Sequence, residues 1–201
     1  MKLYYSPGTC ALSPHIVLIE TKTPFDLVKT DIRAKKVEDG SDFFKVNPNG
    51  YVPALQLDDG TIITEGPAIV QYIADKAGSK LVPPNGTLER TKLQSWLNFV
   101  SSEIHKGFSP LFNPKLSDDA KAVHRERLLD RLRFLDGHFA GTQHLTGPEF
   151  SVADAYLFTT LTWAKPLGID LSPLTRLEAY RARVLARPSV QQAMKEEGLI
   201  K

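Results

Sequence analysis

The stretch Asn47–Ile73, NPNGYVPALQLDDGTIITEGPAIVQYI, decides the fold of the 201-residue chain. Asn47-Pro48-Asn49-Gly50 reads as a turn, and Val52-Pro53 follows it at the entrance of an alternating apolar run. An X-Pro bond has an accessible cis form, and a proline at a strand entrance donates no ladder hydrogen bond. In the cis form the N–H and C=O of Val52 turn outward, ready to pair with an extended ligand. Asp58-Asp59-Gly60, between Ala54-Leu55-Gln56-Leu57 and Thr61-Ile62-Ile63-Thr64, predicts a tight β-hairpin. Glu65-Gly66-Pro67 then opens the amphipathic run Ala68–Ala77, whose first backbone N–H groups suit a ligand carboxylate. An edge backbone, a hairpin and an anion-binding helix start within so short a span form a layout for binding a peptide.

Upstream, Lys2–Tyr5 predicts a short strand that Ser6-Pro7-Gly8 breaks. A helix with Ile16, Val17 and Ile19 on its apolar face follows, and it should start close to Cys10. A thiol at a helix N-terminus has its anion favoured by unsatisfied N–H groups and the macrodipole. Tyr5 and Ser6 lie near enough in sequence to add hydrogen bonds to a sulfur anion. The competing reading of Cys10 is a buried inert side chain, because cysteine packs as a small hydrophobe. Pro24–Asp31 predicts a second strand, and a polar connection with Lys35 and Lys36 leads to a helical stretch from Asp39 to about Val46. Strand, helix, strand, helix, hairpin and helix in that order fit a thioredoxin-like α/β domain with a mixed four-stranded sheet.

Gly78–Thr87, GSKLVPPNGT, interrupts both periodic patterns and reads as a linker. The chain therefore divides into residues 1–78, a linker over 79–87, and an all-helical domain over 88–201. The first helix of the second domain spans Leu88–Ser109, with Leu93, Leu97, Val100, Ile104 and Phe108 on its buried face. Asn98, Ser102 and His105 form another stripe, with Lys106 adjacent; a solvated polar face has the same pattern. Asp118–Phe139 is a second amphipathic helix with Val123, Leu128, Leu132, Leu135 and Phe139 on its core side. Phe150-Ser151-Val152-Ala153-Asp154 carries a capping box and a staple position, and opens a central buried helix over Val152–Ala164. Ser172-Pro173 and Arg187-Pro188-Ser189 start the last two helices, the second ending at Gly198. Together these elements form a C-terminal helical bundle.

The bulk numbers exclude several classes. A 42% apolar and 24% charged composition is that of an ordinary globular protein. A formal net charge of +2 without a basic block interleaved with aromatics does not support nucleic-acid binding. No apolar stretch approaches the roughly 20 residues needed to span a bilayer, and MKLYYSPGTC lacks a signal region. A single cysteine excludes an intramolecular disulfide or a cysteine-rich metal site. A cytoplasmic location follows as the expectation.

The order VPAL, DDG, TEGPAI resembles the glutathione-binding half of the glutathione transferases. Tyr5, Ser6, Pro7, Gly8 and Cys10 resemble the first loop of the bacterial beta class of that family, WLNFVSSEIHKGFSPLF its first long helix, and FSVADAY its C-terminal capping motif. The resemblance spans essentially the full chain. It implies a cis Val52-Pro53 bond, Glu65 and Gly66 at the γ-glutamyl group, Lys35 at the glycyl carboxylate, and Cys10 beside the glutathione sulfur, with Tyr5 and Ser6 as rivals. It further implies that His105 and Lys106 face the glutathione cleft, and that Asn98 and Ser102 reach the ligand of a neighbouring subunit in a homodimer. A neutral His105 accepts the thiol proton, whereas a cationic one stabilises the thiolate. Asp154 takes a folding role, and His15, His124, His138 and His144 receive none.

One departure stands out: many family members carry Ser where this chain has Gly66, so only backbone N–H can serve there. The implied function is conjugation of reduced glutathione to hydrophobic electrophiles in detoxification, with Cys10 and His105 catalytic and glutathione as co-substrate without a further cofactor. The electrophile would sit in an apolar pocket between the domains, near Phe108, Leu111, Phe112 and Trp163. Two alternatives stay open: thiol–disulfide exchange or peroxide reduction through a Cys10–glutathione mixed disulfide, and a noncatalytic carrier of apolar ligands.

Overall fold

The computed structural model describes residues 1–201 and forms two compact units, Met1–Lys80 with Arg187–Lys201, and Leu81–Ala186. In the first unit, β1 (Lys2–Tyr5) leads through a turn to α1 (Leu12–Glu20), then to β2 (Asp26–Asp31) and β3 (Lys36–Val37). After the Val52-Pro53 bond, which is cis, β4 (Ala54–Gln56) and β5 (Ile62–Thr64) form the hairpin, and α2 (Gly66–Lys76) follows. The sheet order is β3-β2-β1-β4-β5. β1 runs parallel to β2 and antiparallel to β4, with Leu3 opposite both Leu27 and Leu55. Apolar residues therefore stack across the sheet centre: Leu3, Ala54 and Leu55 are wholly buried.

The hairpin turn works as the Asp-Asp-Gly signal predicts. Gly60 takes φ +88°, a region that suits glycine, and Thr61 N–H donates to the Asp59 carboxylate at 2.9 Å.

Two local expectations need correction. The sheet has five strands rather than four, because Lys36–Val37 pairs antiparallel with β2. Two residues are too few to show an alternating pattern. The helix expected over Asp39–Val46 is only a 3₁₀ turn, Phe43–Lys45. Asp39 and Asp42 bind backbone N–H groups two residues ahead, and Gly40 takes φ +85°, which favours turns over a helix. Helix α1 starts at Leu12, close to Cys10 as expected, with Cys10 itself in the preceding turn.

In the second unit, α3 (Leu88–Phe99) is capped by Thr87, whose hydroxyl accepts from Arg90 N–H at 3.2 Å. It runs into a π-helical segment, Val100–His105, then α4 (Lys106–Phe108) and a 3₁₀ turn, Ser109–Phe112. The expected long helix is present but underwound at its centre. Leu93, Leu97, Val100, Ile104 and Phe108 are all buried, as their spacing predicts. α5 (Asp118–His138) buries Leu128, Leu132 and Leu135, whereas Val123, read as core, is 68% exposed. α6 (Val152–Leu161) is buried at every position, which its nearly unbroken apolar sequence requires.

α7 (Thr175–Leu185) starts later than Ser172-Pro173 suggests. Ser172 is held by the Asp170 carboxylate through its N–H and its hydroxyl, both at 2.9 Å. The first N–H groups of α7, from Arg176 and Leu177, instead donate to Asp136 on α5 at 2.9 and 3.0 Å.

The last helix, α8 (Pro188–Glu196), clusters with the first unit rather than with the helical residues 88–201 among which the sequence division places it. Its Val190 and Ala193 are wholly buried, and Arg187 and Ser189 both bind the Glu20 carboxylate at the end of α1. No helix is long and apolar enough to cross a membrane.

Candidate functional site

The turn Ser6–Cys10 is fixed from within and from the chain terminus. Thr9 donates its N–H and its hydroxyl to the Ser6 carbonyl, at 3.2 and 2.7 Å. Gly8 N–H donates to the buried Glu197 carboxylate at 2.9 Å. Leu12 N–H and Ser13 N–H are already engaged by the carbonyls of Thr9 and Cys10. Cys10 therefore does not sit at an open helix start. Its partly exposed thiol donates to the Val52 carbonyl at 3.3 Å, a contact that needs the proton on sulfur. The thiol and the strand-entrance backbone, far apart in sequence, are neighbours.

Tyr5 is 8% exposed, and burial, followed by the carboxylates of Glu197, Glu38 and Glu196, pushes its phenol above the ordinary value. Tyr5 is thus a phenol and a donor, never a phenolate, at neutral pH.

At the start of α2, Pro67 has no N–H and both Ala68 and Ile69 donate to the Glu65 carbonyl. The Gly66 N–H remains as the first-turn donor with no bond inside the helix. A Cβ added at Gly66 would meet only Ser13 Oγ at 3.9 Å and Pro53 Cγ at 4.0 Å, both ordinary contacts. Packing therefore does not demand glycine there.

Backbone strain marks this surface. Three residues other than glycine take positive φ: Lys22, Lys35 at +56° and Glu65 at +68°. Two of the three are expected ligand residues, and such conformations concentrate where function overrides comfort. Lys35 donates its ammonium to the Gly50 carbonyl at 2.7 Å and lies 5.0 Å from the Tyr51 ring centroid, which leaves further N–H donors for an anion.

In the second unit, Asn98 and Ser102 are exposed on one stripe, the Ser102 hydroxyl donating to the Asn98 carbonyl at 2.9 Å. His105 closes the π segment, and Lys106 next to it is exposed. His105 Nδ1 lies 2.6 Å from the Tyr156 hydroxyl, and its ring meets Trp163 edge-on at 4.9 Å. Burial, with a smaller contribution from the Lys106 charge, pulls its pKa down to about 4. The imidazole is therefore neutral at pH 7, which removes the cationic alternative for this side chain. Phe108 and Phe112 both stand edge-on to Trp163 at 5.9 Å, and Phe112 is 50% exposed, so an apolar wall adjoins His105.

Sequence reasoning missed His15 and Glu197. His15 is wholly buried, with Nδ1 3.1 Å from Glu197 and Nε2 2.7 Å from Glu196. No local signal links residues so distant in sequence. Tyr156 was also missed; the apolar run around it reads as core alone.

Two family models match the chain: the glutathione S-transferase N-terminal domain over residues 8–76 and the glutathione S-transferase C-terminal domain over residues 99–188. Glutathione S-transferase GstA of Escherichia coli O157:H7 is 44% identical over 200 residues, covering 99% of this chain and 100% of the relative. The solved structure described as a ternary complex of BphK, a bacterial GST, superposes with a TM-score of 0.97 at 53% identity, covering 98% of this chain and 100% of that one. A bacterial beta class glutathione S-transferase from Sphingomonas chungbukensis superposes with a TM-score of 0.96 at 51% identity, covering both chains completely.

Proposed function

This chain belongs to the glutathione S-transferase family, and from that membership we propose how its own residues carry glutathione transfer. It is an enzyme of the transferase class that uses glutathione as co-substrate. In our reading the cysteinyl backbone of glutathione pairs with Val52 beside Pro53. The Gly66 N–H takes the γ-glutamyl carboxylate, Glu65 the amino group and Lys35 the glycyl carboxylate. The observation that carries the reading is the 3.3 Å contact from the Cys10 thiol to the Val52 carbonyl. A ligand amide that bonds to Val52 competes for that contact, and its own sulfur then lies beside Cys10. The released S–H of Cys10 donates to the glutathione sulfur and stabilises its anion, with Tyr5 and Ser6 around it as further donors.

His105, neutral and partly buried, assists at the sulfur, with the Lys106 charge nearby. The sulfur then attacks a hydrophobic electrophile that rests against Phe108, Leu111, Phe112 and Trp163, a conjugation that serves detoxification. Glutathione is the one co-substrate, and no resident cofactor enters the scheme. The exposed Asn98 and Ser102 support a homodimer in which each subunit touches the other's ligand. We place the enzyme in the cytoplasm, where glutathione is held reduced.

The test compares native, Cys10→Ser and Cys10→Ala proteins with reduced glutathione and an activated aryl halide. Donation from Cys10 predicts that serine keeps most of the rate and alanine a smaller share. A rate abolished equally in both variants, with a glutathione adduct on native Cys10, would replace this scheme with mixed-disulfide chemistry.

A further inference from the structure

We propose that Tyr156 is a positioning residue that locks His105 in the tautomer protonated at Nε2. Tyr156 lies on α6, two residues beyond the Asp154 that caps that helix, and is 2% exposed. Its hydroxyl meets His105 Nδ1 at 2.6 Å, shorter than an ordinary N–H···O contact and suited to an O–H donor. The two rings stand at 76° with centroids 5.9 Å apart, and Trp163 packs edge-on to the same imidazole. The ring is therefore held in direction as well as in contact.

A neutral imidazole carries one proton on one of two nitrogens, and the partner of one nitrogen decides the state of the other. Burial and the Lys106 charge keep His105 neutral over the working range of pH. Two arrangements then compete at the 2.6 Å contact: phenol donating to a bare Nδ1, or Nδ1–H donating to the phenol oxygen. A phenol is a far stronger acid than a neutral imidazole N–H, and a bare ring nitrogen is a far stronger acceptor than a phenol oxygen. The first arrangement wins on both counts. The proton of His105 must then sit on Nε2, the nitrogen directed away from Tyr156.

The catalytic consequence rests on the transferase reading given above; the tautomer does not. With Nε2 protonated, His105 donates a hydrogen bond to the sulfur anion of glutathione. It does not accept the thiol proton, which leaves to solvent. The π segment that ends at His105 and the capped, fully buried α6 hold the two partners in register.

The experiment is a ¹⁵N imidazole correlation spectrum of the native protein near pH 7, followed by Tyr156→Phe, which keeps the ring and deletes the hydroxyl. The expected native spectrum shows a bare Nδ1 and a protonated Nε2 for His105, assigned with His105→Gln; Tyr156→Phe should give a mixture of tautomers. A native Nδ1–H would overturn the proposal. In steady-state kinetics, Tyr156→Phe should lower kcat roughly fivefold, the loss of one net hydrogen bond. It should have no further effect in a His105→Gln background. An equal loss with and without His105 would show that Tyr156 acts by packing, and would also overturn its positioning role. If the native protein turns over no electrophile with glutathione, the transferase reading falls, and the spectrum still decides the tautomer.

Discussion

Gly8 donates its backbone N–H to a carboxylate oxygen of Glu197, 2.9 Å away and 189 positions later in the chain. The other oxygen of Glu197 meets His15 Nδ1 at 3.1 Å, and both side chains are fully buried. The turn that carries Cys10 is thus tied to the end of α8. Each ring nitrogen of His15 faces a carboxylate oxygen, Nδ1 that of Glu197 and Nε2 that of Glu196.

Removing the Glu197 carboxylate takes one acceptor from the Gly8 N–H and one from the buried His15. Glu197→Ala should destabilise the protein by on the order of 3 kcal/mol, because the Gly8 N–H and the buried His15 Nδ1 both lose the Glu197 carboxylate, while His15 Nε2 keeps Glu196. Glu197→Gln keeps one oxygen for Gly8 and should fall between the two. Urea unfolding checks the order; an alanine variant as stable as the glutamine variant would contradict it.

Asp154 accepts hydrogen bonds from Ser151 N–H, the Ser151 hydroxyl and Leu145 N–H, at 2.9, 2.7 and 2.9 Å, with the Tyr180 hydroxyl at 3.2 Å. Every partner is structural. Asp154→Ala should lower stability by about 2 kcal/mol or more while the folded fraction keeps its glutathione affinity. Denaturant unfolding paired with calorimetric titration reads both; a stable variant with catalysis abolished would contradict a folding role.

His105 carries the clearest pH signature. Its folded pKa of about 4 lies below the ordinary 6.5, so between these values the unfolded chain binds a proton that the folded protein refuses. The stability linked to this group is whole above pH 6.5 and is lost as pH falls through that window to about 4. The loss reaches at most about 3 kcal/mol. An NMR titration should find the His105 midpoint near 4, and a midpoint near 6.5 would contradict its burial.

Glu65 takes φ +68° and ψ 113°, a conformation glycine adopts with less strain. Glu65→Gly should therefore raise stability by about 1 kcal/mol and weaken glutathione binding, while Glu65→Ala should weaken binding without that gain. Thermal unfolding and calorimetry of the two variants check the pair. Equal stability of both would show that the backbone at Glu65 is unstrained.

Locally written features were legible in the sequence. Lys2–Tyr5 is a strand at its predicted bounds, the Asp-Asp-Gly hairpin forms, and the five apolar positions from Leu93 to Phe108 are buried because helical spacing alone puts them on one face. Ser151 and Asp154 form their capping box within four residues. What stayed hidden depends on partners distant in the chain. Asp136 caps α7 from 40 positions upstream, and Glu197 holds Gly8 from the other terminus. Cys10 reads as a helix-start thiol, yet its sulfur answers to the Val52 carbonyl, 42 positions away. Tyr156 hides for another reason: inside an apolar run, its hydroxyl is invisible until the fold brings His105 to it.

The most direct test is the initial rate of thioether formation from reduced glutathione and an activated aryl halide, measured above the uncatalysed background. The account predicts saturable turnover by the native protein that survives in reduced form in Cys10→Ala. A native protein that binds glutathione in calorimetry but adds nothing to the background rate with any such electrophile would contradict it.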